Sequence, residues 1–162
     1  MKGSECRLIE YMDGSNKRFI IPVYQRNYDW KIENCKQLYD DLVKVIKNDR
    51  RSHFFGSMVS VYEPSGKNME FLVIDGQQRL TTVSLLLLAM YNLISAGILI
   101  PKDEFLGNRI YEEYLVDKYQ PKETRIKLKP VKNDQKAYGK LFNDTATTEI
   151  YTSLFVGSVR CV

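Results

Sequence analysis

Phe71-Leu72-Val73-Ile74-Asp75-Gly76-Gln77-Gln78-Arg79-Leu80-Thr81-Thr82-Val83 is the stretch whose reading decides the fold. An apolar run ends at a polar turn, and a second apolar run, Val83 to Met90, follows it. The first run reads as a strand and the second as a helix. A strand that feeds a helix through a glycine turn points the helix's free backbone N–H groups, with their partial positive charge, at whatever sits in the turn. Phosphate is the natural guest. Arg79 adds a planar cation that can hold two phosphate oxygens, Gln77 and Gln78 can donate and accept, and Thr81 and Thr82 bring hydroxyls. Asp75 suits phosphate only with a metal ion or a water between them. The plainer alternative is an ordinary strand-turn-helix whose polar residues cap the helix.

Working outward, Phe54 to Tyr62 and Met69 to Ile74 read as two strands of a hairpin around the turn sequence Pro64-Ser65-Gly66-Lys67. The helix after the turn is expected from about Arg79 to Ser95, stopping at Gly97. Lys17 to Val23 is β-rich and leads into a loop bearing Tyr24-Gln25-Arg26. After Asp29, a candidate N-cap, apolar residues at Ile32, Cys35, Leu38, Tyr39, Leu42, Val45 and Ile46 keep helical spacing. The adjacent Asp40 and Asp41 diverge on such a helix and read as a solvated face. Pro101 to Lys118 reads as a further helix anchored by Phe105, Tyr111 and Tyr114. Thr124 to Lys129 alternates as a strand, and Asn133 is placed to cap a last helix. Strands and helices in this order indicate an α/β domain of mixed α+β type.

At 162 residues, 44% hydrophobic and 27% charged, the chain is a globular domain or a fragment of a longer protein, with no disordered character. A formal charge of +4 permits nucleic-acid contact without arguing for it. Lys122, Arg125, Lys127, Lys129 and Lys132 form a local basic stretch, read either as a lysine-protected strand edge or as a DNA-facing surface. Cys6, Cys35 and Cys161 are odd in number and far apart, which suggests neither a disulfide framework nor a zinc site. A reducing compartment and a start without signal-peptide character make the cytoplasm the expected location. Val83 to Ile100 is nearly all apolar, but Ser84, Asn92, Ser95 and Gly97 interrupt it, so it reads as a buried helix and not a membrane span. The single histidine, His53, excludes an HNH nuclease site or a histidine-ligated zinc site.

Three motifs in order carry a resemblance: Ile21-Pro22-Val23-Tyr24-Gln25-Arg26-Asn27-Tyr28-Asp29-Trp30, Phe54-Phe55-Gly56-Ser57 and Asp75-Gly76-Gln77-Gln78-Arg79. Together they resemble the N-terminal domain of GmrSD-type, modification-dependent restriction enzymes, from about Leu8 to about Phe142. The resemblance implies a fold similar to the ParB nucleotide-binding domain, with the aspartate-glycine-glutamine-glutamine-arginine motif serving nucleotide binding and hydrolysis that drives DNA restriction in phage defence. It also implies a separate nuclease domain, so that DNA would be met through the full-length protein. Residues 1–143 would form this domain. Residues 144–162 depart from the preceding rhythm of helix and strand and are expected to be a non-native or disordered tail.

On this reading nucleoside triphosphate and Mg²⁺ are the cofactors. Asp75 would position Mg²⁺ or the attacking water, Gln77 or Gln78 would orient that water, and Arg79 with Arg26 would neutralise charge on the phosphate. Tyr24, Gln25, Arg26, Gly76, Arg79, Thr81 and Thr82 would bind the nucleotide. The turn lacks the Gly-x-x-x-x-Gly-Lys pattern of a P-loop. The competing reading is a non-enzymatic, ParB-like DNA-binding module in which Arg26, Arg79 and the 122–132 stretch contact phosphates. The sequence leaves the oligomeric state open, a homo-oligomer included.

Overall fold

The computed structural model describes residues 6–66, 68–122 and 124–143; the expected tail, 144–162, lies outside them. Four strands, β1 (Lys17–Ile20), β2 (Val59–Ser65), β3 (Asn68–Asp75) and β4 (Leu128–Lys129), form one mixed sheet in the order β2-β3-β1-β4. β1 pairs in parallel with β3 on one side and β4 on the other, whereas β2 and β3 form the antiparallel hairpin expected around Gly66. The helices are α1 (Leu8–Met12), α2 (Ile32–Lys47), α3 (Gln77–Ser95), α4 (Leu106–Arg109), which runs into a π-helical turn at Ile110–Leu115, and α5 (Lys132–Asn143). The domain is thus of mixed α+β class.

Parallel strands require long crossovers, and α2 and α3 supply them. The strand residues Phe19, Val73 and Leu128 are buried at 4% exposure or less and pack with Leu38 of α2, Leu80 and Val83 of α3 and Tyr138 of α5. α3 is buried along much of its length and also carries a second cluster, in which Leu88 meets Ile110, Leu115 and Val116. Tyr91 of α3 stacks on Tyr111 of the π turn with ring centroids 4.4 Å apart. Among the described residues no helix is long and apolar enough to cross a membrane.

Several element boundaries differ from expectation for identifiable reasons. β2 starts at Val59 and not at Phe54, because Gly56 adopts φ +96° and the carbonyls around it are claimed by a side chain. Asp29 does not cap α2. The helix begins at Ile32, and the Asn34 side chain accepts the Lys31 N–H at 3.0 Å. The Pro101 to Lys118 segment is helical only from Leu106 to Leu115, and Phe105 is 69% exposed and anchors nothing. The expected strand at Thr124 to Lys129 contracts to Leu128–Lys129, with Ile126 bridging to Val116. α5 starts at Lys132, so Asn133 lies within it.

The contraction has a cause in Lys127. Its side chain turns inward, leaving the residue 2% exposed, and the ammonium donates to the carbonyls of Met12 (3.4 Å), Gly14 (2.6 Å) and Glu113. Three donors meet three acceptors, which satisfies the group completely. Burial pulls the Lys127 pKa below the usual lysine value, partly opposed by Asp13 and Asp117. The contact ties the α1–β1 loop to the π turn, one residue ahead of β4. Lys127→Met should therefore orphan three carbonyls and lower stability by roughly 2–4 kcal/mol, a fall in thermal midpoint of about 5–15 °C. An unchanged melting curve would remove this cage from the account of the fold.

Candidate functional site

Because β1, β3 and β4 run parallel, their carboxyl ends reach the same edge of the sheet, where open α/β sheets place ligands. Asp75-Gly76 stands there. Gly76 sits at φ +88° between β3 and α3, and a Cβ on it would lie 2.8 Å from Met58 Cγ, so both the backbone angle and the space demand glycine. No side chain caps α3, and its first bond runs from the Leu80 N–H to the Gly76 carbonyl at 2.9 Å. The amides of Gln77, Gln78 and Arg79 therefore have no intrahelical acceptor and present partial positive charge at the turn.

The sequence-predicted residues divide into those exposed to a ligand and those committed to the protein. Asp75 is the most open of the motif, its side chain 65% exposed, with Arg79 Nη2 at 3.8 Å from Oδ2. Gln77 is 8% exposed, and its side chain has no hydrogen-bond partner among the described residues. Gln78 is buried and engaged at both ends: Nε2 donates to the Asn27 carbonyl at 2.9 Å and Oε1 accepts the Asp29 N–H at 3.1 Å. Gln25 Nε2 donates to the Ile74 carbonyl at 2.9 Å, one residue before the turn. Both glutamines thus fasten the 22–30 loop to the turn. Thr81 and Thr82 are each 4% exposed, and the Thr82 hydroxyl donates to the Gln78 carbonyl at 2.8 Å and meets the Tyr28 hydroxyl at 2.9 Å. Tyr24 is 71% exposed, and Arg26 lies on the surface paired with Asp29 at 3.2 Å.

Arg79 reaches back across the turn to the 52–58 segment, donating from Nη1 to the Phe55 carbonyl at 3.2 Å and from Nη2 to the Ser57 carbonyl at 2.7 Å. Asp134 was not foreseen as part of this edge, and Gly56 and Tyr28 stood in the quoted motifs without an assigned role. Asp134 Oδ2 accepts the Tyr28 N–H at 2.7 Å, which brings the start of α5 against the same loop. Phe54-Phe55-Gly56-Ser57 stood out by resemblance, but nothing local in it told that its glycine leaves room for the Arg79 guanidinium. The basic stretch does not form a strip: Lys127 is buried, and Arg125 donates to the Tyr111 hydroxyl at 3.0 Å. His53 is exposed in the loop ahead of β2. At the opposite, amino edge of the parallel strands lies a cavity of about 430 Å³ lined by Asp13, Ser15, Asn108, Arg109, Glu112 and Asp117, among others. Nothing in the sequence pattern marked it.

The fold and this edge define an α+β domain whose uncapped helix start, exposed carboxylate and an amide unpartnered among the described residues are gathered in one turn. The chain belongs to the family of GmrSD restriction endonuclease N-terminal domains, whose model matches residues 8–155. It is accordingly a domain of the restriction-enzyme type. The matched range extends beyond the boundary at Asn143 that was expected from the extent of the resemblance. No curated protein matches the chain significantly.

The clasp made by Gln78 is open to a direct check. Gln78→Leu keeps the volume but leaves the Asn27 carbonyl and the Asp29 amide without their partners. It should lower stability by about 1–3 kcal/mol and accelerate hydrogen exchange at the 27–29 amides. Wild-type exchange there would show that the loop is held by something else.

Proposed function

We propose that this domain binds a nucleoside triphosphate at the Asp75 turn and hydrolyses it, as the regulatory part of a modification-dependent restriction protein acting in phage defence. The observation that carries the reading is the bare N-terminus of α3 at the carboxyl edge of the parallel strands, with exposed Asp75 beside it and a Gln77 amide unpartnered among the described residues. Family membership and the ParB-like resemblance of the motif support it.

The chemistry follows from what each group has left to offer. The amides of Gln77, Gln78 and Arg79 would receive phosphate oxygens, which need no reorganisation to be met by a preset dipole. Among the described residues no three carboxylates, histidines or cysteines gather in a metal-binding group. Asp75 alone nevertheless suits Mg²⁺, which binds through one or two carboxylates and the substrate's own phosphates. Bound there, the ion would screen the carboxylate from the phosphate. Gln77 is better placed than Gln78 to orient an attacking water, because the Gln78 amide is occupied at both ends. Arg26, exposed and paired with Asp29 at the surface, is a cation that could turn to the ligand. Tyr24 offers an exposed ring for a base or ribose.

The test is a titration of purified protein with each nucleoside triphosphate, with and without Mg²⁺, followed by the Asp75→Asn variant. Asp75→Asn should lose hydrolysis yet retain or gain metal-free binding, because a repulsive charge is removed. Hydrolysis at the wild-type rate in that variant would take Asp75 out of the mechanism. Binding that weakens steeply with salt and shows no selectivity among triphosphates would favour the DNA-binding module instead.

A further inference from the structure

We propose that Arg79 is a positioning residue, acting through a slot that only glycine can leave at position 56, and that what it positions is the 52–58 segment as a second wall of the anion site. The inference rests on the nucleotide reading above but concerns a part of the chain to which that reading assigns nothing.

The 52–58 segment has little backbone structure of its own, since β2 begins only at Val59. Its placement must come from side-chain contacts: Phe55 and Met58 pack against the main core, and the hydrogen bonds that fix its carbonyls come from the Asp75 turn. The Arg79 guanidinium bridges the carbonyls on either side of Gly56, at 3.2 Å to Phe55 and 2.7 Å to Ser57. A Cβ on Gly56 would lie 1.6 Å from Arg79 Nη1 and 2.8 Å from Cζ, so any side chain there would push the guanidinium out of its place between the two carbonyls. The φ of +96° at Gly56 independently disfavours any other residue. A second contact repeats the logic from the other side, because Met58 fills the space beside Gly76. The loop and the turn therefore interlock through two glycines, each vacating the volume that a side chain from the opposite partner occupies.

This arrangement changes what Arg79 does. A guanidinium presents its donors in one rigid plane, and here two of its nitrogens are directed at loop carbonyls. The segment so fixed includes the exposed Phe54 and Ser57, and the nitrogen that holds the Ser57 carbonyl also lies 3.8 Å from the exposed Asp75 carboxylate. Arg79 serves the ligand by holding that wall. An arginine recruited only for its charge would have no need of the Gly56 slot.

Four variants separate bracing from direct phosphate contact: Arg79→Lys, Arg79→Ala, Gly56→Ala, and the double variant Gly56→Ala with Arg79→Ala. Two readouts are taken, hydrogen exchange at the 54–58 amides and affinity for each of the four common ribonucleoside triphosphates with Mg²⁺. Lysine keeps the charge but cannot span both carbonyls. If Arg79 is a brace, Arg79→Lys and Arg79→Ala should lose affinity alike, about tenfold, the equivalent of one lost contact, with 54–58 exchange faster and exchange in the middle of α3 unchanged. Gly56→Ala should match them, and the double variant should bind no more weakly than the weaker single one, as expected for residues acting through one contact. Wild-type affinity in Arg79→Lys, or unaltered loop exchange in both Arg79 variants, would overturn the proposal. Should Gly56→Ala fail to fold, the two Arg79 variants decide alone. If the wild-type protein binds none of the four triphosphates, the nucleotide reading fails, while loop exchange still judges the brace: faster exchange upholds it and unchanged exchange refutes it.

Discussion

The parallel pairing of β1 with both of its neighbours is the constraint from which the other features follow. An antiparallel sheet distributes its turns over both edges. Here β1, β3 and β4 all end at one edge, so the loops leaving them are forced together although they are 50 residues or more apart in sequence. The 22–30 loop, the Asp75 turn and the start of α5 meet as a consequence of topology. The same constraint collects the strand beginnings at the other edge, where the Lys127 ammonium sits among carbonyls from the α1–β1 loop and the π turn. A buried lysine is costly unless its donors are all met, and this one anchors the short β4 that completes the sheet.

Within the motif, conformational and chemical duties fall to different residues. Gly76 and Gln78 build the turn and fasten it; the Asp75 carboxylate is largely exposed, and the Gln77 side chain makes no hydrogen bond among the described residues. The energetics require such division. A helix N-terminus contributes only ~0.3 to 2 kcal/mol to an anion and a charged hydrogen bond ~1.5 to 3 kcal/mol, whereas micromolar affinity needs about −8 kcal/mol. A turn of five residues cannot supply this alone. On the proposed reading, the loops clasped around it by Gln25, Gln78 and Arg79 would bring the further groups within reach.

Much of this was legible in sequence where a local rule and the tertiary structure agree. The β2–β3 hairpin followed from its turn residues, and α2 and α3 from their apolar spacing and from Gly97. The errors fall where a distant partner overrides the local rule. Phe54 to Met58 has strand-like composition, but Arg79, more than twenty residues later, occupies the carbonyls of Phe55 and Ser57. Alternation at Thr124 to Lys129 placed Lys127 on a wet face, whereas three carbonyls from two other segments draw it inside. Asp29 looked like a cap, but its amide is taken by Gln78 and its carboxylate by Arg26. The motif could be found from sequence; which of its side chains were already committed could not, because the partners are carbonyls, and every residue carries one.

The position of Arg79 also links charge in the turn to the position of the loop. Its Nη2 donates to the Ser57 carbonyl and lies 3.8 Å from Asp75, so one cation serves a neutral acceptor and a carboxylate at once. With the Asp75 side chain largely exposed, this ion pair is weak, of the ~0 to 1 kcal/mol typical of surface pairs, and leaves the carboxylate's field little reduced. A polyanion approaching the α3 amides would meet that field unless it arrives with a cation of its own. A metal that neutralises Asp75 would in turn release Arg79 from the pair and leave it wholly to the loop. Cation binding and loop order would then reinforce each other, and the coupling must hold equally in both directions. On the nucleotide reading, the 52–58 segment would be firmest with both the anion and its counter-ion present.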